Sequence, residues 1–337
     1  MSDTETNTGT TPVPGALGDD VAEALRAGTL APSPHNTQPW LFDTRDGEID
    51  VLLDESRVLA VCDPEGREAV LACGAAVFNI RVALARRGRS CAVSVLPDRT
   101  RPELIATLRI GSGRQPSSDE IRLAETIDAR HSNRRPFTDA PVTAAVRHAL
   151  TRAATEEGAR LALLTDPASF DTFAALLRRA EHVQREDPAF AAELAAWSHH
   201  GERPDGVPVS AGGPRGVDES VLALREFGEG EGKAEREFER QPLIAVLTTP
   251  TDTRRDAVRA GQALQRMLLT ATASGLQASF LAQPIEVAQT RAELRTLLGG
   301  VYHPQVALRL GYGHPGTPTP RRGLTDVLVS PSEERGS

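Results

Sequence analysis

The sequence predicts an α+β fold made of two copies of one helix-and-strand unit, packed against each other within a single chain. Three pairs of segments carry that expectation. Residues 74–88 (GAAVFNIRVALARRG) and 261–275 (GQALQRMLLTATASG) are apolar helical runs bounded by Gly at both ends, and their starts at 74 and 261 lie 187 positions apart. Residues 106–113 (ATLRIGSG) and 306–313 (VALRLGYG) close each half with a strand and a glycine, 200 positions apart. Residues 21–28 (VAEALRAG) and 146–153 (VRHALTRA) open each half, 125 positions apart. Self-similarity of this kind marks a duplicated unit. The difference between 187 and 125 places an insertion of 62 residues in the second half, within about 155–242.

Each element follows in order. Residues 1–18 contain neither the basic nor the apolar region of a signal peptide and read as a disordered leader. The first half, 19–127, runs from its opening helix through a strand at 49–54, the central helix, and strands at 91–96 and 106–113. The second half, 128–328, repeats the series with strands at 243–249, 277–281 and 306–313, and 329–337 forms a tail. Both central helices are nearly apolar all round, which predicts burial on every side. The insertion begins with two helix-like segments (168–186 and 188–200) and continues as a Gly-, Pro- and charge-rich stretch. Its texture predicts a long lid with little core of its own.

Composition narrows the function. With 39% hydrophobic and 25% charged residues, the 337-residue chain is an ordinary globular protein of one large or two small domains. A formal charge of −8 argues against a nucleic-acid partner. No apolar run is expected to reach the ~20 residues of a membrane span, so no membrane partner is expected and the location reads as cytoplasmic. Cys62, Cys73 and Cys91 fit neither a disulfide framework nor a zinc template, and Cys73 reads as packed in a helix. His199 and His200 are adjacent and no HExxH spacing occurs, so no metal is expected.

Three motifs remain. The first is Ala31–Trp40 (APSPHNTQPW), where three prolines stiffen a polar stretch just after a helix. It reads either as a helix stop with Trp40 in the core, or as Ser33, Asn36 and Gln38 preorganised around a small planar ligand. The second is Asp128–Phe137 (DARHSNRRPF), with Arg130, Ser132, Arg134 and Arg135 in six residues. Guanidinium forks match phosphate oxygens, although a solvated basic turn would read the same way. The third is the basic pair Arg321–Arg322 after GYGHPGTPTP.

Together, PSxxNxQPW after a helix, RHSxR…F, a central helix ending in Gly275-Leu276, and a closing LxxGYxxxxxPxxR resemble the nitroreductase family of FMN-dependent oxidoreductases. The tandem halves look most like its dormancy-associated Acg-type branch. Ordinary members are homodimers with two FMN at the interface. The resemblance implies that Arg130, Ser132 and Arg134 meet the phosphate and ribityl chain, joined by Arg321 or Arg322. It implies that Pro32, Ser33, Pro34 and Asn36 approach the flavin ring, and that Ala282, Gln283, Pro284 and Ile285 pass its reactive edge. The loop occurs only in the first half and RxSxR only in the second. Motif count therefore implies one FMN per chain and a monomer whose usual dimer interface is internal. The implied activity is NAD(P)H-dependent reduction of nitro-aromatics, quinones or similar small electron-poor substrates. No catalytic residue is assigned, and His35 and Asn36 are candidate substrate contacts. The alternatives are sequestration of FMN beneath the lid and flavin-dependent dehydrogenation of a natural-product intermediate.

Overall fold

A computed structural model describes residues 18–45, 47–216, 222–228, 235–240 and 242–329. The expected leader (but for Gly18), the tail beyond Val329 and parts of the insertion lie outside the described residues. The first half contains α1 (Asp19–Thr29), β1 (Trp40–Arg45), β2 (Glu48–Leu53), α2 (Arg67–Arg86), β3 (Arg89–Val95), β4 (Leu104–Gly113) and α3 (Ser118–Glu125). The second contains α4 (Ala144–Glu156), β5 (Arg160–Leu164), α5 (Pro167–Arg185), α6 (Pro188–Ala196), β6 (Leu243–Thr249), α7 (Arg254–Ala273) and β7 (Gln277–Phe280). It ends with α8 (Gln283–Glu286), α9 (Ala288–Leu297), β8 (His303–Gly311) and α10 (Leu324–Val327). Two four-stranded antiparallel sheets result, ordered β1-β2-β4-β3 and β5-β6-β8-β7. Strand for strand, the two orders are the same.

The central helices α2 and α7 pack against each other between the sheets, and here the sequence reading needs correcting. Gly74 and Gly261 do not start these helices. Each stands seven residues inside one, because the helices begin at Arg67 and Arg254. Their role is close approach. A Cβ on Gly74 would sit 2.3 Å from the Val258 carbonyl oxygen, and one on Gly261 would sit 2.0 Å from that of Leu71. Backbone meets backbone at this crossing, and any side chain would push the helices apart. Gly88 and Gly275 do end their helices, at φ 72° and 76°, where a left-handed residue closes the last turn.

Burial of α2 explains its composition. An 18-residue window of this 20-residue helix reaches a mean hydropathy of 1.6, by length and composition enough to cross a bilayer, contrary to the expectation that no run comes near. Sixteen of them, from Ala69 to Ala85, are buried inside the protein. The helix is apolar all round because protein surrounds it.

The insertion also differs from expectation. Asp166 and Asp187 cap α5 and α6 through the amides of Ser169 and Ala189, each followed by Pro at the first helical position. Phe173, Leu176 and Leu177 of α5 then pack on Ile244 and Val246 of β6 and Ala307 of β8. Leu222 joins this core, while Phe190 of α6 packs on Leu59 and Cys62 of the first half, so the insertion has more core than its texture predicts. It also approaches the first half through Pro204–Gly206 and through Arg225 and Phe227.

Candidate functional site

The loop from α1 to β1 has a backbone few sequences tolerate. His35, Asn36 and Gln38 adopt φ of 46°, 57° and 52°, three of the four non-glycine residues in the left-handed region among those described. Such positions are strained and need outside support. Support comes from the polar side chains. Asn36 donates through Nδ2 to the Gly206 and Pro320 carbonyls at 2.8 and 3.1 Å. Gln38 donates to Pro204 O at 2.8 Å, and its Oε1 accepts from the Arg322 amide at 2.8 Å. Ser33 Oγ accepts from the Gln38 amide at 2.9 Å. Trp40 is wholly buried in the first-half core. The two readings of the motif are compatible: Trp40 anchors one end while Pro32–His35 face a cavity. Asn36, a candidate substrate contact, is not on the cavity wall, because its amide is used in holding the loop.

The cavity has a volume of about 800 Å³ and draws its walls from both halves. The first half supplies Pro32–His35 and, from α2, Glu68, Leu71 and Ala72. The second supplies Ser132, Arg134, Ala282, Gln283, Ile285 and Glu286, and the insertion adds α5, α6 and Leu222–Phe227. Ser132 is held at this wall by a parallel bridge to Ala278 of β7. Pro284 is buried beside the wall, where its carbonyl accepts from Thr290 at 3.3 Å. Gln283 donates to Glu181 Oε2 and the Ala223 carbonyl at 3.1 and 3.2 Å, which joins the insertion to α8.

Arginines without counter-charges gather where the loop begins, Arg134 on the cavity wall and Arg130 and Arg321 off it, at the carbonyls of Leu30 and Ala31. Arg130, 4% exposed, donates to the Leu30 carbonyl at 3.1 Å, and its buried Nε has no partner. Arg321 donates to Asn36 Oδ1 at 2.9 Å, Thr319 Oγ1 at 2.6 Å and the Ala31 carbonyl at 3.3 Å, and its Nε is likewise orphaned. Burial and the neighbouring Arg321 charge bring Arg130 down to about 9, and burial brings Arg321 to about 10. Neither makes an ion pair with any described residue. Two buried like charges without an anion are unfavourable, and an anion between them would relieve both terms. Of the two candidate closing arginines, Arg321 therefore joins Arg130, whereas Arg322 turns to the Gln38 carbonyl at 3.3 Å and to Asp54 at 3.8 Å. Arg134 lies over the Phe227 ring at 4.4 Å and donates to Ala211 O at 3.2 Å. Burial, then the nearby Arg225 charge, lowers it to about 10. Arg135 is apart from this group, reaching Thr317 at 3.4 Å on the surface.

The residue that sequence reasoning missed is Arg225. Its two terminal nitrogens grip Glu286 of α8, one at 3.0 Å from Oε1, with side chains 10% and 2% exposed. It also donates to Gln184 Oε1 at 2.8 Å and to His35 Nε2 at 3.1 Å. Burial first, then Arg225, depresses His35 to about 3, while the Arg225 charge and hydrogen bond hold Glu286 down at about 2 against burial. Glu68, opposite in behaviour, is pushed by burial up to about 8 despite Arg67. Nothing local in REFGEGEG announces such a residue, since its partners lie 41, 61 and 190 positions away.

Comparison with known proteins adds the following. The family model described as the Nitroreductase family matches residues 127–312, a stretch that begins just before Arg130 and leaves out the Pro32–Trp40 loop. A Mycobacterium tuberculosis protein carrying the provisional name NAD(P)H nitroreductase is 31% identical over 94% of this chain and 92% of its own. A second from that organism, similarly named and called acg, is 29% identical over 92% of this chain and 95% of its own. Among solved structures, a nitroreductase with bound FMN from Desulfitobacterium hafniense is 15% identical, with a TM-score of 0.41, over 63% of this chain and 98% of that one.

Proposed function

The chain belongs to the nitroreductase family, and from that premise we propose that it is an FMN-dependent NAD(P)H oxidoreductase with one flavin site assembled from both of its halves. The observation that carries the proposal is the pair of buried, anion-free guanidiniums of Arg130 and Arg321, which suits the FMN phosphate. Ser132 and Arg134 would hold the ribityl chain, Pro32–Pro34 and His35 would border the ring, and Ala282–Ile285 would border its reactive edge. The chemistry supplied at such a site is two-electron transfer from NAD(P)H to an electron-poor ring, which FMN contributes when bound. The chain's own part is to bind, to orient and to keep water out. Nitro-aromatics and quinones are the proposed substrates, since a cavity that mixes apolar walls such as Leu71, Phe227 and Ile285 with polar groups such as Ser132 and Gln283 suits flat acceptors that carry oxygen. The protein is proposed to act as a monomer, because α2 and α7 already form the contact that ordinary members make between subunits. Its proposed setting is the cytoplasm, where NAD(P)H is available and where its three unpaired cysteines would stay reduced.

Titration with FMN tests this reading: one equivalent should bind per chain, and NADH or NADPH should bleach the yellow complex until a nitro-aromatic restores it. A protein that ignores added FMN refutes the proposal. A second reading, storage of FMN, draws on the insertion placing Arg225 and Phe227 on the cavity wall. Yellow protein that neither NADH nor NADPH bleaches would favour it.

A further inference from the structure

Elementary hydrogen-bond chemistry fixes more about His35 than its position. A guanidinium has donors and no acceptor, so the 3.1 Å contact from Arg225 Nη1 requires a bare, accepting Nε2 on His35. Burial and the facing charges keep this ring neutral: Arg225 on the insertion and Arg134 after α3 oppose a proton, and Glu286 on α8 favours one without prevailing. A neutral imidazole with a bare Nε2 carries its hydrogen on Nδ1. That nitrogen is buried and has no partner among the described residues. Arg225 commits both terminal nitrogens to Glu286, Gln184 and His35, which leaves its Nε–H buried and unpartnered as well. The rings of Phe227 and His35 cross at 87° with centroids 5.6 Å apart, and the Cys62 sulfur lies within 4.8 Å of the His35 and Glu286 ligand atoms. Neither supplies an acceptor for these two N–H groups. His35 and Arg225 both line the cavity.

We propose that His35 Nδ1–H is the donor of a subsite for a neutral hydrogen-bond acceptor on the substrate, a carbonyl or nitro oxygen. Arg225 is the positioning residue that sets the tautomer of His35. This rests on the oxidoreductase reading above and names how that site recognises its acceptor. An orphaned donor at the cavity selects a ligand that brings an oxygen lone pair. The tautomer is set from the insertion, so recognition needs the Leu222–Gly228 segment in place.

The test begins with long-range proton–nitrogen NMR of imidazoles in the FMN-loaded protein, with His35→Gln identifying the signal. His35 should show the Nδ1-protonated pattern, unchanged from pH 5 to pH 8. An Nε2-protonated pattern, or titration near 6.5, overturns the proposal. Arg225→Met should mix the tautomers and raise the KM for 1,4-benzoquinone about tenfold while the FMN dissociation constant stays put. Arg225→Lys, which still donates to Nε2, should keep the single tautomer. An Arg225→Met protein with an unchanged tautomer and KM, or one that loses FMN in proportion, also overturns it. If FMN does not bind at all, the oxidoreductase reading falls, and the imidazole spectrum of the unloaded protein still decides the tautomer.

Discussion

Two sets of buried arginines lie in this molecule, and the fold treats them in opposite ways. Arg309 of β8 is wholly buried, donates to Glu239 Oε1 at 2.6 Å and to the Arg135 carbonyl at 3.0 Å, and is flanked by Phe137 and Phe238. Arg130, 4% exposed, and the half-buried Arg321 meet around the end of α1 and have only carbonyl, amide and hydroxyl oxygens for company. One arginine has its counter-charge; the others have none among the described residues. The matching strand of the first sheet shows what the cover adds. Arg109, at the equivalent place on β4, stays in solvent with its side chain 70% exposed and pairs with Glu48. Only the second sheet is covered by the insertion, and the covering segment brings Glu239 with it.

Breaking the pair of Arg309 and Glu239 should have the largest effect. Glu239→Ala leaves Arg309 charged and alone, and should cost about 3–5 kcal/mol of stability in chemical denaturation. FMN affinity of the still-folded protein should change by less than about twofold, and a large loss of affinity would erase the distinction drawn between the two sets. The reverse pattern is expected for Arg130→Ala. Losing a charge-assisted phosphate contact should weaken FMN binding by about a hundredfold, while the melting temperature holds or rises because a like-charge pair has gone. Unchanged affinity would mean that the anion site is elsewhere.

Arg321 and Arg322 refine the comparison. Arg321→Ala should weaken FMN binding by about tenfold or more, and Arg322→Ala by no more than about twofold, in the same titration. Equal effects would contradict the assignment of Arg321 as the partner of Arg130. The smallest effect concerns pH. The folded state holds His35 at about 3, below its ordinary 6.5, so between these values the unfolded chain binds the extra proton. Stability should therefore fall as pH drops below about 6.5, and His35→Gln should flatten part of that slope in melting curves at pH 5 and pH 7. Parallel slopes in the two proteins would show that His35 is not the group responsible.

Much of the architecture was legible because it repeats. Periodicity located α2, α7 and the strands, and the spacing of 187 holds at both ends of the central helices. The misreading of Gly74 and Gly261 as helix starts has a definite cause. A glycine's commonest local meaning is punctuation, whereas its meaning here comes from the other helix, and a single stretch of sequence does not display its neighbour. Asn36 was misjudged for a related reason: a polar side chain on a stiff loop serves a ligand or the loop itself, and only the left-handed backbone reveals the second need. Arg225 was invisible, since a charged residue between glycines reads as surface until Glu286 and His35 are seen around it.

The loop's anchorage also has a meaning in time. Asn36 is tied to Pro320 and Arg321, 284 and 285 positions further along the chain. A ribosome delivers the loop well before these two supports, with the strands of both sheets made in between. The left-handed backbone of the loop is thus pinned only after the sheets around it can form. A nascent chain short of Pro320 would bury most of its core while this loop still lacked two of its ties.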